Sequence, residues 1–297
     1  MSNKNLLKLS FALTLLFPFN NYNSQAVKTS DTKEFFYNIS IGAVIGGIGA
    51  LINKKPEQKF DKVLFKGVYQ GALGGYVTFE SKRLIRTAVN NNDYKLLWAA
   101  KLVNAGGVSI KENASMNRDF WEKWHLNIGF NRIEFDTTDK FKIYYKIMPV
   151  ALVYTIGVAS QTKFEWGKSL KTGEFIFSSN SEQFIATNSS AVAFPANIVL
   201  HDPYKNEFAI VAHEITHIFQ QNDFSQLDTF FTKPINFVNS KSETMSKINK
   251  YIYYDFRHLP YLLLYSLENR NTHFYYDNRF EREAGYFSNT FGEWVLK

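Results

Sequence analysis

The sequence predicts an α+β protein with glycine-rich N-terminal helices, a central antiparallel sheet and a C-terminal helical region. Three observations point there. Glycines recur four residues apart in apolar stretches of residues 30–120. From residue 124 apolar and polar residues alternate, the period of a half-buried strand. After residue 201 the helical period returns, around the run His213-Glu214-Ile215-Thr216-His217.

Composition bounds what such a chain can do. At 297 residues it can bury a sizeable core, and its 28 Phe and 17 Tyr exclude a disordered chain. The formal charge of +7 comes from 34 basic against 27 acidic residues with no long basic run, which argues against a nucleic-acid partner. There is no cysteine, so disulfides, thiolate ligands and lipoprotein attachment are all excluded. Any metal must be held by His, Asp or Glu.

Residues 1–26 read as a signal peptide. Lys4 and Lys8 give a positive start, residues 6–19 are mostly apolar, and Ser24-Gln25-Ala26 offers small residues for cleavage. The expected location is the periplasm, the cell envelope or the medium, with an uncleaved anchor as the alternative.

Residues 27–123 form the glycine-rich helical region. Gly42 and Gly46 in one stretch, and Gly67 and Gly71 in the next, make small-xxx-small patterns that let two helix backbones approach closely. A tight helical hairpin is expected, and the same pattern leaves membrane association as a second expectation. A third helix is expected around "YKLLWAAKLVNAG", stopped by Gly106-Gly107. Residues 124–200 form the β region. "HLNIGFNRIEF", "FKIYYKIMPVALVYTIG" and "GEFIFSS" predict four to six antiparallel strands, with a turn at Thr172-Gly173. In residues 201–297, Asp202-Pro203 is a helix-start signal, Leu259-Pro260 another, and "DNRFEREAGYFSN" a third helix. Residues 124–297 are expected to make one catalytic unit.

On a helix, His213 and His217 project from one face a turn apart, where two imidazoles can hold one zinc ion. Glu214 lies beside them, where its carboxylate can take a proton from water rather than bind the metal. Phe208, Val211, Ala212, Ile215, Ile218 and Phe219 make the helix largely apolar, so the polar triplet would be buried at a cost that a metal relieves. The plain alternative is a structural histidine pair.

A third ligand is needed. The extension HExxHxxGxxH is absent: Asp223 stands at its last position, but Gln220 replaces the glycine. Glu281 is the stronger candidate, because Ala284 and Gly285 line its helical face and permit close packing. Glu283 ranks second, since Arg279 four residues before it suggests an exposed ion pair, and Asp223 ranks third.

"HEITHIFQQ" followed at a distance by "EREA" resembles the gluzincin class of zinc metallopeptidases. The resemblance covers two short motifs in the last third of the chain. It implies a zincin-like region in which His213, His217 and Glu281 bind one zinc ion and Glu214 is the base that hydrolyses a peptide or protein substrate. Several such families place an Asp four residues after the ligand Glu to orient a histidine; here Gly285 occupies that place. The resemblance also implies an oxyanion donor, for which His258, His273, Tyr276 and Tyr286 are candidates. His125 and His201 read as strand-edge or capping residues. An edge strand of the β region could bind an extended peptide by backbone pairing. The rival expectation is a structural or interaction protein of the cell envelope with a non-catalytic HExxH sequence.

Overall fold

The computed structural model describes residues 29–270 and 274–290; the expected signal peptide and His273 lie outside them. The described chain is α+β. Helix α1 (Asp31–Ile52) starts on Ser30, whose side chain accepts from Lys33 N, and α2 (Phe60–Asn91) ends on left-handed Asn92. The two form the expected hairpin. A Cβ on Gly46 would come within 2.6 Å of the Gly67 carbonyl oxygen, so no side chain fits between the backbones. Among the described residues, α1 alone is long and apolar enough to cross a membrane, by length and composition.

Helix α3 (Lys95–Ser115) corrects the sequence expectation, for it runs through Gly106-Gly107 to Ser115. Gly107 is a contact point, not a stop: a Cβ there would meet the Gly74 carbonyl oxygen of α2 at 2.8 Å. Packing on a neighbour outweighs the poor helix propensity of glycine.

The β region also departs from expectation, holding two sheets rather than one. Strands β1 (Lys123–Ile128), β2 (Asn131–Asp136) and β3 (Lys142–Ile147) form an antiparallel meander in that order. Strands β4 (Lys163–Phe164), β5 (Phe175–Ser179), β6 (Ala191–Phe194) and β7 (Asn197–His201) form a second sheet, in the order β4-β5-β7-β6. In it β5 and β7 run parallel. The apolar run after Lys146, read as strand, is helix α4 (Pro149–Ala159). Proline opens its first turn, and the Asp255 carboxylate accepts from Val150 N at 3.1 Å and Ala151 N at 2.9 Å. An apolar run without alternation does not distinguish strand from helix, and a distant cap decides here. Two further helices intervene, α5 (Trp166–Thr172) and α6 (Glu182–Thr187). Gly173, at φ +75°, turns the chain as expected, but from helix into strand.

Asp202-Pro203 starts only a short 3-10 turn over Asp202–Tyr204, so the helix expected at Pro203 begins later, as α7 (Phe208–Asp223). A second 3-10 stretch (Ser225–Phe231) leads to α8 (Thr232–Lys241), α9 (Glu243–Ile248), α10 (His258–Asn269) and α11 (Arg279–Ser288). Asn278 caps α11 by accepting from Phe280 N at 2.8 Å.

The main core positions α7. Ile85 and Ala88 of α2, Leu97 and Ala100 of α3, and Ile176, Ile198 and Leu200 of the second sheet surround Ile210, Val211, Ala212, Ile215 and Phe219. Strand β6 lies at the sheet's edge beside α7, and α11 packs against α7 as well.

Candidate metal centre

Every residue of α7 from Ile210 to Gln221 is buried, so its polar side chains face protein. His213 and His217 stand one turn apart, their Nε2 atoms 3.1 Å from each other. Glu281, from the first turn of α11, brings Oε2 to 3.0 Å from His213 Nε2 and 3.2 Å from His217 Nε2. One ligand atom from each of the three lies within 4.8 Å of the others. Of the three carboxylates weighed from sequence, Glu281 is the one brought to the histidines.

Glu283 and Asp223 are engaged elsewhere. Glu283 is buried, not the exposed partner of Arg279; its Oε1 accepts from Lys82 Nζ at 2.8 Å. Arg279 pairs with Glu34 at 2.8 Å instead. Asp223 accepts from Lys82 at 2.6 Å and Lys111 at 3.0 Å. The sequence could not show these partners, because both lysines come from helices more than a hundred residues earlier. Gly285 also differs from expectation: its missing side chain accommodates the Tyr276 ring, where a Cβ would come within 2.5 Å of a ring carbon.

The remaining imidazole nitrogens have partners too. His217 Nδ1 lies 2.8 Å from Gln220 Oε1, and His213 Nδ1 lies 3.1 Å from Thr290 Oγ1. Side chains thus stand where the Asp missing four residues after Glu281 would act. Gln220 had a sequence signal, three residues after His217 on the same helical face. Thr290 had none. The Tyr265 hydroxyl donates to Glu281 Oε1 at 2.5 Å, and Tyr261 Oη lies 3.3 Å from His217 Nδ1.

Burial pushes the Glu281 carboxyl up, but His217 and His213 outweigh it and hold it well below the usual carboxylate range. Burial likewise pushes the His217 imidazole down, while Glu281 outweighs it and raises it to about 9. Proton and metal compete for the same lone pairs. The donor set, two imidazole nitrogens and one carboxylate oxygen, fits a divalent cation with a position left for water or substrate.

Glu214 and His213 both line a neighbouring cleft. The cleft has a cavity volume of 390 Å³ and is lined by residues 187–191, Ile210, His213, Glu214, Tyr275 and Thr290. Burial raises the Glu214 carboxyl, against the pull of His217 and His213, and the Ala193 backbone N–H on β6 donates to it. Of the oxyanion candidates, Tyr276 bonds the cleft-lining Thr290 at its backbone O at 2.8 Å, Tyr286 bonds Asp31 at 2.9 Å and His258 bonds Gln221 at 2.9 Å, and none of the three lines the cleft itself. Tyr275, not singled out from sequence, is the tyrosine beside His213, its Oη 3.5 Å from Nε2. His125 lies on edge strand β1 against Ser109, and His201 ends β7 against Asn180.

The chain matches no protein-family model, no curated protein and no solved structure at a significant level.

Proposed function

We propose that the chain is an exported zinc-dependent metallopeptidase of zincin-like architecture. The observation that carries the reading is the convergence of His213, His217 and Glu281 beside a cleft that holds Glu214. His213 Nε2, His217 Nε2 and Glu281 Oε2 would hold one zinc ion. A zinc ion there would lower the pKa of water toward neutrality and polarise a substrate carbonyl. Glu214, raised by burial, takes the proton and passes it to the leaving amine. Tyr275, whose hydroxyl lies 3.5 Å from His213 Nε2, would donate to the developing oxyanion.

A peptide or protein substrate is supported by β6, an edge strand that pairs with β7 on one side and, apart from the Ala193 N–H that donates to Glu214, could pair with an extended chain on the other. Val192 and Phe194 of β6 point to the other sheet face. There they line an apolar groove of 530 Å³ with Tyr154, Val158 and Phe184. Side chains of a strand-paired peptide alternate between faces, so every second one would meet that groove. Export rests on the N-terminal sequence.

The test is the metal content and peptidase activity of purified protein, beside Glu214→Gln. The expected result is one zinc per chain in both, with hydrolysis lower by about 10²–10⁴-fold in the variant. Wild-type protein without zinc would instead favour the rival, a cell-envelope interaction protein with a non-catalytic site. That rival draws support from the exposed Phe65 and Tyr69 of α2, which suit a membrane or partner surface.

A further inference from the structure

Behind the metal helix lies a buried charge cluster to which the proposed reaction gives no part. Lys82 of α2 is fully buried and donates to Asp223 Oδ2 at 2.6 Å, Glu283 Oε1 at 2.8 Å and Asn38 Oδ1 at 2.9 Å. Lys111 of α3 donates to Asp223 Oδ1 at 3.0 Å, and Asn38 Nδ2 to Glu283 Oε1 at 3.2 Å. Buried ion pairs seldom stabilise a fold more than apolar side chains of the same volume. Stability alone is a weak reason for this cluster.

The cluster reaches the candidate metal centre through Gln220. Its Nε2 donates to Glu283 Oε2 at 2.9 Å and to Phe280 O at 2.8 Å. Two acceptors fix which end of the amide is nitrogen, so the carbonyl oxygen Oε1 is the atom facing His217 Nδ1. A carbonyl oxygen only accepts, so Nδ1 keeps its proton, and Nε2, beside Glu281, is the nitrogen whose lone pair a metal can take in place of a proton. The Tyr261 hydroxyl, at 3.3 Å, is the more distant neighbour of that nitrogen.

We infer that Glu283 is a positioning residue. Held by Lys82 and Asn38, it locks the Gln220 amide, and through it the tautomer and ring orientation in which His217 can bind a metal. The inference rests on the metal reading above. It gives the N-terminal helices a part in the site, although they supply none of the three ligands.

The test is zinc affinity by chelator competition, with the thermal midpoint of the metal-free protein as a measure of fold. Gln220→Ala removes the acceptor and leaves every charge paired; its zinc affinity should fall by about 10–100-fold. Glu283→Gln should fall by about tenfold, because its NH2 must meet either the NH2 of Gln220 or the ammonium of Lys82. Adding Lys82→Met removes that ammonium and frees the Asn38 carbonyl oxygen. The Asn38 amide can then turn to accept from the new NH2, giving up its bond to Glu34 O, and the amide oxygen at 283 can again accept from Gln220. The double variant should return to within about threefold of wild type. A merely structural role would lower the thermal midpoints and leave zinc affinity unchanged. Gln220→Ala binding zinc as tightly as wild type, or a double variant no tighter than Glu283→Gln, would overturn the inference. Wild-type protein without zinc would overturn the metal reading and this inference with it.

Discussion

His213 and His217 bring their Nε2 atoms to 3.1 Å of each other, with Glu281 Oε2 at 3.0 and 3.2 Å from the two. Three electron-rich atoms so close require a proton or a cation among them. A cation that binds only the folded chain stabilises it by about 4 kcal/mol at a thousandfold excess over its Kd. Chelation should therefore lower Tm of the wild type and leave His213→Ala unmoved. Glu281→Ala should lose the metal outright, because Lys82 and Lys111 hold the alternative carboxylates, Glu283 and Asp223. Stoichiometric zinc in purified Glu281→Ala would show that another ligand serves.

Adjacent glycines of α3 should respond oppositely to the same substitution. Gly106 has nothing within 4 Å of an added Cβ, so Gly106→Ala should gain about 0.5–1 kcal/mol from helix propensity. Gly107 would drive its Cβ to 2.8 Å from the Gly74 carbonyl oxygen, a backbone atom that cannot swing away. Gly107→Ala should lose about 1–3 kcal/mol. Urea unfolding of the two variants measures both signs, and equal signs would contradict the contact.

How far the sequence reveals this molecule depends on how local each cause is. The hairpin of α1 and α2 was legible, because its glycine spacing is itself the contact pattern. Pairing Glu281 with the two histidines was legible as well, from a helical spacing and a short motif. The error at Gly106-Gly107 has the opposite origin: whether a glycine ends a helix or seats a neighbour depends on α2. Helix α4 was missed because Asp255, which caps it, lies a hundred residues away. Glu283 was misjudged for the same reason, since its local partner Arg279 was visible and its actual partner Lys82 was not. Gln220 was read only as the wrong residue for another motif, although its spacing from His217 was visible.

Acid should destabilise the fold before its carboxylates titrate. Burial holds the His125 and His258 imidazoles down at about 3 and about 4, against 6.5 when unfolded. Each folded pKa is depressed, so the stabilisation is complete above pH 6.5 and is lost as pH falls toward 4. Asp228 acts oppositely. Burial raises it from 3.8 to about 8, despite Arg257, so its contribution is lost as pH rises through 8. Between pH 6.5 and 4 the unfolded chain gains two histidine protons while the native chain keeps one on Asp228. Each histidine alone lowers stability by about 1.4 kcal/mol per pH unit there, and the Glu174 and Glu214 carboxyls, which burial also raises, offset part of that fall. Urea midpoints at pH 6.5, 5.5 and 4.5 measure the slope, and His125→Asn should flatten it.

The far face of β6 should set which peptides are cleaved without touching the chemistry. Val192 and Phe194 line the apolar groove, whereas Ala191 and Ala193 pack against the core that carries α7. Successive side chains of a peptide paired to β6 alternate between these two faces. Peptides with large apolar residues at every second position should therefore outcompete those with charged residues there. Phe194→Ala enlarges the groove and removes contact area, so kcat/KM for an apolar peptide should drop by about tenfold. The loss should appear in KM, since Glu214 and the three proposed ligand side chains do not line the groove. Zinc content should match wild type. A drop confined to kcat, or an equal drop for charged peptides, would mean that the groove does not receive substrate and that Phe194 only supports the strand.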